Sequence, residues 1–228
     1  ANLERERKIA ELLAGFLNNQ NAPVVSVCFS ETLRDMRPLL WIGFKVSPQY
    51  SYVLNLEQSL DEMWSGFSSR VRNDIRRAER DGIRVENSSD WSIVYEMICD
   101  LAEHRKLPID VQTTARILNS FANETNSFNL VAYSEGKVIA SLFCVRNQNT
   151  CYMLFLNRDF RASQRGATSL LVWRALAYAK EIGLQWFDFE GSMLPSVERY
   201  FRGFGGELRT YFRVSKAFLP LEMALKLS

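Results

Sequence analysis

The sequence predicts an α/β sandwich in which one sheet contains both antiparallel and parallel strand pairs. Three apolar segments at 129–134, 138–146 and 150–157 alternate with short polar turns, which is typical of an antiparallel meander. After the meander the chain alternates between helical and strand patterns up to residue 214. Parallel strands need a crossover connection, usually a helix, and the second part of the chain supplies such connections. Both kinds of pairing are therefore expected.

The front of the chain has shorter patterns. Apolar spacing from Ile9 to Leu17 predicts a helix that ends at the polar residues 18–21. Short strands are expected at 24–29, 39–44 and 50–56, and a helix at 59–67.

The next element is a highly charged helix. Ser68 or Ser69 is in position to cap it, Val71, Ile75 and Ala78 form its apolar stripe, and an Asp-Gly pair ends it. We expect the apolar stripe to pack on a core. The remaining elements are expected as a strand at 83–85, helices at 91–106, 113–122, 165–182 and 195–204, and strands at 184–190 and 207–214.

The charged helix carries a cluster of arginines, namely Arg70, Arg72, Arg76, Arg77 and Arg80. One interpretation is a solvated face that forms ion pairs with neighbouring carboxylates. The other is an anion-binding or RNA-facing patch. The sequence leaves both interpretations open.

Composition and length indicate an ordinary globular chain. The 228 residues are 47% apolar and 24% charged, and the net charge of +2 is too small to argue for bulk affinity for nucleic acid. No apolar run is long enough to span a bilayer, and the first residues lack the apolar segment of a secretory signal. We expect a cytoplasmic protein without stable membrane insertion.

The sequence has few residues of the types that bind metals. The four cysteines show no zinc-like spacing and are expected as free thiols. The single histidine, His104, excludes sites built on several histidines and is expected on a solvent-facing helix. We expect no metal.

The helix expected at 165–182 has an unusual start. An arginine and four small residues begin it: Arg165, Gly166, Ala167, Thr168 and Ser169. A helix start without acidic residues exposes backbone N–H groups and the positive end of the helix dipole, which can hold a pyrophosphate. This segment is a candidate cofactor-binding site. The alternative is a simple turn with a capping side chain from residue 163 or 164.

Two carboxylates mark the end of the strand at 184–190. Strand alternation puts Trp186, Asp188 and Glu190 on one face. Two carboxylates on one face are costly unless water hydrates them or a cation pairs with them. Their presence therefore predicts a functional site. A carboxylate with a raised pKa accepts a proton from an ammonium substrate. The alternative is that one carboxylate caps the next helix and the other pairs with an arginine.

Several motifs resemble one known family. Residues 187–192 (Phe-Asp-Phe-Glu-Gly-Ser), 197–206 and 214–216 (Val-Ser-Lys) resemble the closing segment of GNAT-fold acyltransferases close to the Fem-type peptidoglycan aminoacyltransferases. Residues 69–83 are similar to an arginine-rich helix of the same group, and residues 50–56 to the strand before it.

The resemblance implies a GNAT-like mixed sheet with helices on both faces, preceded by part of a second GNAT-like half. Residues 1–85 would form the partial first half with its linking arginine-rich helix, and residues 86–228 a complete acyltransferase domain. It also implies that the natural chain begins upstream of Ala1.

The resemblance further implies that acyl-CoA or an aminoacyl-tRNA binds beside the strand ending at Glu190 and the helix starting at Gly166. The family's general-acid tyrosine aligns with Phe201, so the neighbouring Tyr200 becomes the candidate. Glu190, Asp188 and Tyr200 are thus the expected catalytic residues.

Three functions follow from this. The leading one is an N-acyltransferase that moves an acyl group from acyl-CoA to an amine of a small molecule, a peptide or a cell-envelope precursor. The second is tRNA-dependent aminoacyl transfer to a peptidoglycan precursor. The third is a catalytically silent binding module, because the donor loop and the tyrosine position differ from the family pattern.

Overall fold

A computed structural model of the chain describes residues 3–106, 110–191 and 193–217. Leu107 and Pro108, expected to close a helix, and Ser192, part of the strand motif, lie outside the described residues.

The described part of the chain forms eight helices and eight strands. The helices are α1 (Leu3–Asn18), α2 (Arg37–Trp41), α3 (Leu60–Gly66), α4 (Ser69–Arg80), α5 (Ser92–Arg105), α6 (Val111–Phe121), α7 (Ala167–Glu181) and α8 (Pro195–Arg202). The strands are β1 (Val24–Phe29), β2 (Lys45–Asn55), β3 (Arg84–Asn87), β4 (Ser127–Ser134), β5 (Lys137–Arg146), β6 (Thr150–Arg158), β7 (Trp186–Asp188) and β8 (Glu207–Ala217). None of the described helices is both long and apolar enough to cross a membrane.

One predicted strand is wrong. Residues 39–44 form the end of α2 and a turn instead, because Pro38 occupies the first turn of a helix, where its missing N–H is not needed. Leu39 and Phe44 are buried in a local core. A short apolar run cannot by itself distinguish a buried helical turn from a strand.

The chain divides into two compact units. The first contains described residues 3–51 and 208–217, in which β1 pairs antiparallel with β8 from Val24↔Ala217 to Phe29↔Phe212. The second contains residues 52–207. The boundary expected between residues 85 and 86 separates two GNAT-like halves, which is a different division from these two units. It stays a prediction.

The second unit contains a mixed sheet. Its strands follow the order β2, β7, β6, β5, β4, β3, with β6 and β7 parallel and the other pairs antiparallel. The meander and the parallel pairing are thus confirmed. Helix α7 packs on one face through Leu171 and Leu176, and α5 packs on the other through Val94 and Ile98. Helices on both faces are confirmed as well.

Helix α4 packs against α7. Ser68 caps α4 by accepting the N–H of Val71 at 3.3 Å, and the stripe Val71, Ile75 and Ala78 is buried, as expected. Gly166 sits at this contact with φ 84°, and a Cβ there would lie 2.1 Å from the carbonyl oxygen of Asp74. The two helices approach this closely because residue 166 has no side chain.

Gly166→Ala should therefore destabilise the protein by at least about 2 kcal/mol, through left-handed strain and overpacking. Gly183→Ala is the matched control, since Gly183 follows the same helix with the same φ of 84° and open space around it. It should cost about 1 kcal/mol. Chemical unfolding measures both values, and equal losses would show that the contact with Asp74 is unimportant.

Candidate active site

The sheet opens at the parallel pair. β6 pairs with β7 only over Thr150–Tyr152 and Trp186–Asp188, while β6 continues to Arg158 along β5. Among the described residues, β6 has no second neighbour strand from Met153 onward. Its backbone groups on that edge are available to a ligand.

A β-bulge lies in the same part of β6. Phe143 pairs with Phe155 and Cys144 with Met153, so Leu154 is an extra residue in β6. A bulge interrupts the hydrogen-bond ladder and turns backbone groups away from the neighbouring strand. No residue type in this strand signals the bulge, which is why the sequence analysis did not predict it.

The end of β7 shows the expected alternation of burial. Phe187 and Phe189 are 0% and 1% exposed, whereas Trp186 and Asp188 are half-buried. Glu190 then leaves the strand with φ 57°, and its N–H donates to Oδ1 of Asp188 at 2.8 Å. The two carboxylates are therefore neighbours at the point where the parallel pairing stops.

The carboxyl group of Glu190 has an unusual pKa. Burial of the group raises its pKa to about 7, and repulsion from Asp188 adds to the effect. The residue as a whole still reaches solvent. A carboxyl group with this pKa exchanges protons near neutrality and is accessible to a substrate.

Tyr200, on α8, contacts the first turn of α7. Its hydroxyl is 3.3 Å from Oγ of Ser169, and burial raises its pKa to about 12, while hydrogen bonds to Ser169 and Thr168 act in the opposite direction. Phe201 instead joins the aromatic core, 5.5 Å from the ring of Phe189. The tyrosine at position 200 is thus the one that reaches the expected donor segment.

A hydrogen bond from Tyr52 anchors α8, and no pattern in the sequence predicts it. The hydroxyl of Tyr52 donates to Oε1 of Glu198 at 2.8 Å, and Glu198 also pairs with Arg202 at 3.0 Å. The carbonyl of Tyr52 accepts the N–H of Phe189. Tyr52 therefore joins the helix that carries Tyr200 to the end of β7. No local pattern links two residues that are 146 positions apart.

The start of α7 has Gly166 as its N-cap, and no side chain caps it. The alternative of a capping side chain is wrong. Ala167 and Ser169 are 5% and 1% exposed, which leaves Arg165 and Thr168 as the accessible side chains of the segment. A helix start without a side-chain cap, next to the exposed Arg165, suits an anion.

The five arginines of α4 do not share one role. Arg72 is half-buried and donates to the carbonyl oxygens of Phe67 and Ser65 at the end of α3. Arg77 pairs with Asp81 at 3.6 Å.

Three arginines remain on the outer surface. The guanidinium of Arg76 lies 5.4 Å from the centre of the Trp64 ring. Arg70 and Arg80 are exposed, and no carboxylate of the described residues lies within 4 Å of either. The surface available to an anion is therefore smaller than five arginines suggest.

The chain matches a protein family in sequence and several solved structures in fold. A family model described as an acetyltransferase (GNAT) domain matches residues 65–202. No curated protein matches the chain in sequence.

Three solved structures illustrate the fold. The crystal structure of FemX has a TM-score of 0.70 at 12% identity, over 98% of this chain and 79% of that one. A conserved protein of unknown function from Bacteroides thetaiotaomicron has a TM-score of 0.63 at 13% identity, over 92% of this chain and 75% of that one. The C-terminal domain of a putative lysylphosphatidylglycerol synthetase from Agrobacterium fabrum has a TM-score of 0.55 at 13% identity, over 82% of this chain and 66% of that one. At these identities the likeness establishes the fold.

Proposed function

Because this chain belongs to the acetyltransferase (GNAT) domain family and is an acyltransferase, we propose that it moves an acyl group from acyl-CoA to an amine of a small molecule, a peptide or a cell-envelope precursor. The observation that carries the proposal is the Glu190 carboxyl, with its pKa of about 7, where the parallel pairing of β6 and β7 ends. A base is needed there because an amine acceptor is protonated at neutral pH.

Acyl-CoA fits the segment before and within the first turn of α7. Arg165 is exposed, Thr168 is half-exposed, and the N–H groups at the helix start have no capping side chain. We assign these groups to the phosphates of the donor. Within the part of the chain that the structure describes, the edge of β6 beyond Tyr152 has no partner strand, and we assign its backbone groups to hydrogen bonds with the rest of the donor.

The chemistry begins with proton removal. The carboxylate of Glu190 takes a proton from the ammonium group, and the nitrogen lone pair then forms a bond to the thioester carbonyl carbon. The tetrahedral intermediate collapses with cleavage of the C–S bond. We assign Tyr200 to protonation of the leaving sulfur, and its hydroxyl regains a proton from the nitrogen of the intermediate.

Asp188 supports the base rather than replacing it. Its carboxylate accepts the N–H of Glu190 and thereby fixes the turn that carries the base. Its negative charge also raises the pKa of Glu190. A higher pKa makes Glu190 a stronger base toward an ammonium group.

Glu190→Gln should lower kcat by about 100-fold or more, because the base is lost. In the unchanged protein the rate should rise with pH through about 7, since only the deprotonated carboxyl accepts a proton. The variant should lose this rise and keep its affinity for acetyl-CoA. Turnover with acetyl-CoA and an amine panel across pH, together with calorimetric titration of acetyl-CoA, measures these effects. An unchanged pH profile in the variant would exclude Glu190 as the base.

Tyr200→Phe should lower kcat by about 100-fold with little change in KM for the donor, because it removes only the proton donor. Tyr178→Phe is the control: Tyr178 lies on α7 against Phe128, and its hydroxyl has no hydrogen bond within the described residues. A similar rate loss in both variants would point to packing rather than proton transfer.

The second candidate, transfer from an aminoacyl-tRNA, is supported by the exposed Arg70 and Arg80. Helix α4 packs against the start of α7, so these side chains lie on an element that adjoins the donor segment. Arginines without a carboxylate partner are suited to phosphate contacts.

An Arg70→Ala, Arg80→Ala double variant should weaken tRNA binding if this donor is used, and the salt dependence of binding should become less steep. The control is Arg72→Ala, whose side chain is engaged with α3 and should affect stability more than binding. Titration of bulk tRNA at several salt concentrations measures the slope. Binding of acetyl-CoA with no detectable tRNA binding would exclude this donor.

A further inference from the structure

Three polar side chains are buried in the sheet of the second unit and have no hydrogen-bond partner among the described residues. Asn129, Ser141 and Asn157 are 0%, 1% and 2% exposed. Within the described residues, both amide groups and the hydroxyl make no side-chain hydrogen bond. Such groups are normally paired, so an unpaired set calls for an explanation.

The strand register places all three on one face. Ser141 of β5 is directly opposite Asn157 of β6, while Asn129 of β4 is opposite Phe143, two residues further along β5. Since side chains two residues apart share a face, Ser141 and Phe143 point the same way. The three polar residues therefore form a row across adjacent strands.

This row lies beneath α5. Phe143 packs with Val94 and Ile98 of α5, so the face that carries Phe143 is the one that α5 covers. Asn157 is three residues beyond the bulge at Leu154, on the part of β6 that β7 does not pair with. The row therefore extends toward the open end of the sheet, where Glu190 lies after β7.

The chemistry of the row defines what it can bind. Each asparagine offers a carbonyl acceptor and an N–H₂ donor, and the serine hydroxyl can act as either. The three side chains carry no charge. A neutral group with both a donor and an acceptor, such as an amide, matches them, whereas an ion does not.

We propose that Asn129, Ser141 and Asn157 bind a neutral amide group of the acceptor, and that α5 moves from the sheet to admit it. The inference deepens the proposed function, because it names an amide-bearing amine, as in a peptide, as the acceptor class. Binding of this group would satisfy the polar atoms that α5 leaves unpaired.

Such a movement would separate Val94 and Ile98 from Phe143 and would also break two contacts at the end of α5. Arg161 bonds to Asp100 at 3.0 Å, and the ring of His104 stacks on Phe160 at 4.0 Å. Exposed ion pairs such as this one contribute little to stability. Both partners, Phe160 and Arg161, belong to the segment that leads into α7, so movement of α5 would also reach the donor segment.

The test compares two amines, β-alaninamide and n-butylamine, which differ in the amide group. Side-chain amide signals of Asn129 and Asn157 are followed by NMR during titration without a donor, so the result does not depend on acyl-CoA binding. β-Alaninamide should shift both signals in a saturable way, and n-butylamine should not. Absent shifts, or equal shifts with the two amines, would overturn the proposal.

Variants test the same row. Asn157→Leu should weaken β-alaninamide binding about tenfold, as expected for the loss of one or two neutral hydrogen bonds. Its melting temperature should be unchanged or higher, because an unpaired amide is removed. Ser141→Ala, a smaller change, should also weaken binding, and Asn87→Leu, at an exposed position of β3, should not. Unchanged affinity in both row variants would refute the site.

A separate titration with acetyl-CoA distinguishes the two proposals. Amide-specific shifts without donor binding would reject acyl-CoA as the donor and support the acceptor site. Donor binding without amide-specific shifts would support acyl-CoA as the donor and reject the acceptor site.

Discussion

The close approach of Gly166 to the carbonyl oxygen of Asp74 sets the geometry on which the site depends. It determines how near α4 comes to α7, and the first turn of α7 in turn meets the hydroxyl of Tyr200 through Ser169. Any side chain at position 166 would push the helices apart and shift that turn. Gly166 therefore has two roles: it allows the close helix contact, and it is the N-cap of α7, which no side chain caps.

Much of the fold could be predicted from the sequence because local signals agreed with one another. Ser68, the stripe of α4 and the Asp-Gly turn defined one helix completely. The hairpin turns of the meander and the alternation around Phe187 and Phe189 defined the strands. Alternation also suggested that Asp188 and Glu190 lie together, but Glu190 lies beyond the end of β7, and a backbone hydrogen bond that spacing cannot reveal brings the two residues together.

What the sequence did not reveal depends on contacts between distant residues. The bond from Tyr52 to Glu198 joins positions far apart in the chain, and the bulge at Leu154 depends on register with β5. The strand predicted at 39–44 is wrong because Pro38 lies in the first turn of a helix whose apolar residues are buried. The separate roles of the α4 arginines depend on carbonyl oxygens and an aromatic ring supplied by α3.

The backbone at Glu190 has a consequence for how this protein can be engineered. Glu190 has φ 57° and the next residue, Gly191, has φ 61°, so two consecutive positions are left-handed. Glycine and asparagine adopt this conformation more readily than glutamate, which is strained there by about 1–3 kcal/mol. Directed evolution that selects only for heat resistance would therefore favour replacing Glu190. A thermostable library should be screened for turnover at the same time, since stability and the carboxylate compete for one position.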